Sequence, residues 1–158
     1  RIPTQELDKV WGLVDKDIRQ ALSYSSQLTD SEFVLETAKE NKFQIWILWD
    51  ESQKKPVDKY FGVVVTELIT RKFGKVCHIY IMTGKQRHKW QYLIKDIEEF
   101  AKQNDCQMME LIARPGWQKV LNNFGYKRTH VVLEKKIKQE EIEWVLEEDQ
   151  VVDQPHQQ

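Results

Sequence analysis

The chain has 158 residues, a formal net charge of −1, 41% hydrophobic and 31% charged residues, and six tryptophans among its aromatic side chains. That length fits one domain of ordinary size, a disordered chain would carry far fewer aromatics, and two cysteines exclude a disulfide framework. No stretch approaches the roughly 18 apolar residues of a membrane span, and Arg1-Ile2-Pro3 shows no apolar signal region, so the expectation is a soluble, reduced, cytoplasmic protein.

Helices open the chain. Thr4 is the expected N-cap of the first, with Glu6 in its first turn. Leu7, Val10, Trp11, Val14, Ile18 and Leu22 then recur at helical spacing. After the polar break Ser23 to Gln27, Thr29-Asp30-Ser31-Glu32 reads as a capping box with Thr29 as N-cap. Phe33, Val34, Thr37 and Ala38 form the inner stripe of the second helix, and Asn41 suits a left-handed stop.

Strands follow. Phe43 to Trp49 is an aromatic and β-branched run. Lys54-Lys55-Pro56 marks a turn. Tyr60 to Thr70 is a long strand with Gly62 as its expected bulge, and Val76 to Met82 is the next. On that strand Val76, His78 and Tyr80 share one face and Cys77, Ile79 and Ile81 the other. The period then lengthens. Trp90, Leu93, Ile94, Ile97, Phe100 and Ala101 fit a helical stripe closely.

Gln107 to Ala113 is a short strand. Pro115 starts a helix striped by Trp117, Val120, Leu121 and Phe124 and stopped by Gly125, and Tyr126 to Leu133 is read as the last core strand. Residues 134–149 read as a helical extension and 151–158 as a polar tail. The order predicts an α/β fold with a mixed sheet: two N-terminal helices, an antiparallel meander, then strand–helix–strand–helix–strand. A single domain over residues 1–133 is expected, followed by an acidic extension over 134–158.

Charge is uneven along this order. Residues 71–138 carry 15 basic and 6 acidic side chains, and residues 139–158 carry none and 7. An unevenly charged solvated surface explains this; so would an acidic partner, or nucleic acid held by phosphate contacts. No nucleic-acid reading motif accompanies the basic residues, and a protein partner or self-assembly through the acidic extension is the stronger expectation.

The segment Arg114-Pro115-Gly116-Trp117 through Phe124-Gly125-Tyr126 resembles the strand–helix–"G-F/Y"–strand ending of the GNAT (acyl-CoA N-acyltransferase) superfamily. The resemblance covers residues 4–133, without the usual first strand. This short form is also similar to GNAT-like proteins of tailed phages, which implies a virion component in the host cytoplasm and the particle. The superfamily resemblance implies acetyl-CoA as cofactor, with the strand Val76 to Met82 offering backbone to its pantetheine and a loop cradling its pyrophosphate.

The superfamily's loop pattern is Q/R-x-x-G-x-G/A, whose small residues let backbone N–H groups approach the anion. Here the register is Arg87-His88-Lys89-Trp90-Gln91-Tyr92, so Arg87 matches while Trp90 and Tyr92 replace the small pair. Trp90 also begins the helix's apolar stripe, which accounts for it as a core residue. If CoA binds, the residues to hold it are Met82, Gly84, Lys85, Arg87, His88 and Lys89; otherwise these make a solvated basic loop.

The resemblance further implies a tyrosine acid four residues before Gly125, where Leu121 stands, and an asparagine where Arg114 stands. Tyr126 would be a packing aromatic. Glu67 is the only carboxylate on the central strands that could serve as a base, and a solvent-facing role explains it equally. His78 reads as a buried polar residue with a partner, Cys77 and Cys106 as buried inert thiols, and no metal-ligand spacing is present. No catalytic residue is assigned.

The function expected is therefore a GNAT-shaped binding or assembly module with no cofactor. The alternative is an acetyl-CoA-dependent N-acetyltransferase with a divergent pyrophosphate loop. A cleft open toward Lys85–Lys89 favours the enzyme; one plugged by Trp90, Tyr92 or Trp117 favours the module.

Overall fold

The computed structural model describes residues 1–25 and 28–137. Within the compact unit Arg1–Lys127, a 3₁₀ turn at Thr4–Glu6 leads into α1 (Leu7–Ser23), then α2 (Ser31–Lys39), β1 (Phe43–Trp49), a short α3 (Pro56–Lys59), β2 (Tyr60–Arg71) and β3 (Gly74–Gly84). A 3₁₀ turn at Arg87–Lys89 precedes α4 (Gln91–Gln103), followed by β4 (Cys106–Leu111) and α5 (Gly116–Asn122). The strands form one sheet in the order β1-β2-β3-β4. β1 and β2 pair antiparallel, as do β2 and β3, and β4 joins β3 in parallel, as a helical crossover requires. No described helix is long and apolar enough to cross a membrane.

The sheet is covered on both faces. On one, Leu7, Val14 and Ile18 of α1 and Val34 and Ala38 of α2 pack on Phe43, Ile45, Val63, Val65 and Ile81. On the other, Leu93, Ile94, Ile97 and Ala101 of α4 and Trp117 and Leu121 of α5 pack on Trp46, Val64, Cys77, Ile79 and Met82. β2 feels both layers, and Phe61 to Thr66 are buried without a break, so its sequence reads as a continuous apolar run rather than an alternation. Thr66 carries the one hydroxyl of that run. It accepts from Trp46 Nε1 at 3.0 Å and donates to Gln44 Oε1 at 2.9 Å, so each of these buried polar groups has a partner.

Several expectations are corrected. The N-cap of α2 is Asp30, whose Oδ1 accepts from Phe33 N at 2.8 Å, because the helix starts one residue after the predicted box. Thr4 sits inside the opening 3₁₀ turn and turns its hydroxyl to Asn41 Oδ1. Phe33 is 52% exposed and meets Phe43 edge-on rather than joining the stripe. The extra residue in β2 is Phe61, next to Gly62, and the expected turn after Lys54 is completed by α3. Asn41 and Gly125 take the expected positive φ values, 61° and 86°.

The predicted strand Tyr126–Leu133 is not formed. Lys127 to His130 are four polar residues in succession, and the three consecutive apolar residues that follow cannot share one face of a strand. Val131, Val132 and Leu133 are 62%, 54% and 91% exposed. Arg128–Gln158 forms a second unit; its described part, residues 128–137, is irregular. The rest of the expected extension and the tail lie outside the described residues.

Candidate functional site

The sheet itself builds a cleft. The β3–β4 ladder runs from Lys75↔Cys106 to Ile79↔Leu111 and stops. β3 continues to Gly84, still paired to β2, so the edge of Tyr80 to Gly84 that faces β4 has no ladder partner among the described residues. At the point of parting β3 carries one extra residue. Thr66 opposes Ile79 and Val65 opposes Ile81, which leaves Tyr80 unmatched.

An extra residue reverses the alternation beyond it. Ile81 therefore belongs to the core under α1 and α2, while Cys77 and Ile79 belong to the core under α4 and α5. This overturns the expected common face of Cys77, Ile79 and Ile81. Tyr80 packs against Phe43 with ring centroids 4.9 Å apart, and burial raises the pKa of its hydroxyl, with Thr29 and Glu67 nearby.

The loop above the cleft is fastened from below. Trp90 is completely buried, and its Nε1 donates to the Lys85 carbonyl at 2.9 Å. Its ring lies 5.2 Å from that of Trp117 and so joins the segment after β3 to the segment after β4. The edge of the indole lies against the places where Gly62 and Gly84 lack a side chain. Tyr92 is 68% exposed. The two bulky residues thus part company: Trp90 is core beneath the loop, as its phase in the stripe predicts, and Tyr92 fills nothing in the interior.

The residues expected around a CoA are spread over this region. Met82 gives its side chain to the α4/α5 core, which leaves its backbone to the cleft. Gly84 ends β3, Arg87 to Lys89 form the 3₁₀ turn, and Lys85 and His88 are exposed. Two of the cations are engaged elsewhere. Lys85 and Lys89 lie over the Phe61 ring, 5.6 Å and 4.7 Å from its centroid, and Lys89 Nζ is 3.6 Å from Asp50 Oδ2. Hydrogen bonds from Ser52, with a smaller contribution from Lys89, hold the Asp50 carboxyl down at about 2.

Leu121 is buried beside Trp117 and offers no proton. Arg114 lies over the Tyr24 ring at 4.2 Å. Tyr126 donates to Glu98 Oε1 at 3.0 Å; burial and that carboxylate raise its pKa, consistent with a packing role. Cys77 is buried and its thiol is pushed up to about 12 by desolvation. Cys106 is only half-buried, which corrects the expectation of two buried thiols, and burial moves its pKa in the same direction.

A polar cluster that the sequence reading did not assemble lies at the foot of the cleft. His78 is buried, and its Nδ1 is 3.1 Å from Glu110 Oε1. Arg71 grips the same carboxylate with both arms, Nη1 to Oε2 at 2.8 Å and Nη2 to Oε1 at 2.7 Å. Arg71 chiefly, and His78 less, hold the Glu110 pKa below its ordinary value against the opposing effect of burial. Glu67, the one base candidate read from sequence, faces His78 across the β2–β3 ladder and is half-buried. Among the described residues no three His, Cys, Asp or Glu side chains gather as a metal site requires.

No family model matches the chain, and no curated protein matches it. Solved structures do. An aminoglycoside acetyltransferase from an uncultured soil metagenomic sample, in complex with sisomicin, superposes with a TM-score of 0.59 at 14% identity, covering 87% of this chain and 93% of that one. Glucosamine-6-phosphate N-acetyltransferase from Arabidopsis thaliana gives 0.57 at 13% identity over 87% and 96%. A predicted acetyltransferase from Clostridium acetobutylicum, solved with acetyl-CoA, gives 0.58 at 14% identity over 85% and 92%. The chain has the GNAT fold. Likeness at this identity speaks for the fold; the activity has to come from the site.

Proposed function

We propose that the chain is an acyl-CoA-dependent N-acyltransferase. The observation that carries this reading is the parting of β3 from β4 at Ile79/Leu111, with the extra residue Tyr80 at the vertex. Backbone groups on an unpaired strand edge need partners, and the amide-bearing pantetheine arm of a CoA thioester is a chain that can supply them. The indole of Trp90 lies under the loop, its Nε1 on the Lys85 carbonyl, and a diphosphate would be held by the backbone that leads into α4, with Gly84, Lys85, His88 and Lys89 around the approach. Bound there, acetyl-CoA would supply an activated thioester carbonyl at the vertex.

A second reading, the non-catalytic binding module, is favoured by one specific feature. Leu121 occupies the place of the superfamily's proton donor and is locked in the core. It would bind a protein partner and need no cofactor.

Titration with acetyl-CoA, followed by thermal melting and calorimetry, separates the two. The enzyme reading expects a stabilisation of about 2.7 kcal/mol at 100 times the dissociation constant, with one site per chain. Unchanged melting at millimolar acetyl-CoA would remove it and leave the module.

A further inference from the structure

The His78–Glu110–Arg71 cluster lies directly below the vertex. His78↔Glu110 is the last pair but one of the β3–β4 ladder, Ile79↔Leu111 is the last, and Tyr80 follows as the extra residue. The Arg71 fork already ties β2 to β4 across β3 through Glu110. A structural bridge is complete with those two side chains, yet a buried imidazole is added to it.

What the cluster does to that imidazole follows from proton counting. The Arg71 guanidinium fixes Glu110 as a carboxylate, and a carboxylate can only accept. The ring nitrogen against it, Nδ1, must then carry the hydrogen. In a neutral imidazole the other nitrogen, Nε2, is left with a lone pair. We propose that His78 is the general base of the acyl transfer, its Nδ1–H held on Glu110 and its Nε2 left to take a proton from the acceptor amine; this rests on the acyltransferase reading above. Glu110 is a positioning residue, and Arg71 keeps it charged. The other titratable groups beside His78 are Glu67, opposite it on β2, and Tyr80, two residues on.

The step balances. Nε2 takes one proton from the acceptor's ammonium group. The freed lone pair attacks the thioester carbonyl carbon, and a C–N bond forms. The C–S bond breaks, its electron pair leaving on sulfur, and the nitrogen's next proton goes to the thiolate. The products are an amide and a thiol, and His78 returns its proton to water.

The experiment has a variant-free arm and a kinetic arm. In the wild-type protein, ¹⁵N resonances of His78 at a pH where the ring is neutral should show Nδ1 protonated and Nε2 bare; the opposite tautomer overturns the proposal. For kinetics, CoA release is followed with four primary amines as probes: spermidine, a lysine peptide, sisomicin and glucosamine 6-phosphate. H78Q should lose at least about 100-fold in kcat with the acetyl-CoA dissociation constant unchanged. H78A should be rescued by added imidazoles in the order of their basicity, which a packing role would not produce. E110Q should lower kcat, because an amide can donate to Nδ1 as well as accept from it and the ring then populates both tautomers.

H78Q with wild-type kcat overturns the role of His78 and leaves acyl transfer standing. A wild-type protein that binds no acetyl-CoA, or binds it and acetylates none of the four amines, overturns the acyltransferase reading and the base with it.

Discussion

Replacing Trp90 by alanine will destabilise the domain by about 3–5 kcal/mol, the range for deleting a large buried aromatic side chain. The indole is fully buried. It packs on Trp117, fills the recess over Gly62 and Gly84, and spends its N–H on the Lys85 carbonyl. Gly62 and Gly84 lie on paired strands and have no side chain with which to fill the space left by the ring. A cavity therefore remains, and the loop from Gly84 to Lys89 loses its anchor.

W90F separates the contributions. It keeps most of the volume and gives up the hydrogen bond, so a loss of about 1–2 kcal/mol is expected. Urea unfolding of the three proteins checks this, with comparable slopes required for the midpoints to report stability. A loss below about 1 kcal/mol for W90A would contradict the placement of the indole in the core. On the acyltransferase reading, W90A should also weaken acetyl-CoA binding, because the loop at Lys85 is no longer fastened to the indole at the start of α4.

Trp90 is also the residue that shows how far the sequence could be read. Its phase with Leu93, Ile94 and Ile97 marks it as core without any structure, since a stripe at three- and four-residue spacing has one buried side. β1 was legible end to end for a similar reason: an aromatic and β-branched run closed by polar residues admits few other readings. What depends on pairing was not legible. Both Ile79 and Ile81 are apolar, so no alternation in the sequence reveals that Tyr80 is supernumerary and that the two isoleucines serve opposite cores.

The His78 cluster was hidden in the same way. Arg71, His78 and Glu110 come from three strands, and the guanidinium and carboxylate are 39 positions apart. Only the parallel register of β4 on β3 puts the carboxylate under both. One local signal existed: Glu110 is a lone charge between Met109 and Leu111 in a strand otherwise read as apolar. Glu110 is only half-buried on this edge strand, yet a carboxylate drawn partly out of water gains from a cationic partner, which points to an ion pair without naming it.

Gly84 provides the sharpest test of the cleft's upper edge. An alanine there will cost about 3 kcal/mol, the high end of overpacking penalties. Its Cβ would stand 2.3 Å from the Phe61 carbonyl oxygen, 2.6 Å from Gly62 Cα and 2.6 Å from the Trp90 ring, on a backbone with φ of +155°. Two of these three atoms are backbone, and the Phe61 carbonyl is already bonded to Lys85 N at 2.8 Å. The strain cannot be relieved by rotating a side chain. β2 and β3 must separate at their ends, or the indole must leave its recess, and either change alters the edge that faces β4.

Gly12 is the matched control. It lies on the exposed side of α1, and a Cβ there meets nothing within 4 Å, so Gly12→Ala should stabilise by about 0.5–1 kcal/mol through the entropy of the unfolded chain. Thermal melts of the two variants should therefore move in opposite directions. If G84A melts with the wild type, β2, β3 and Trp90 do not meet as closely as described, and the vertex at Tyr80 loses the packing that holds it open.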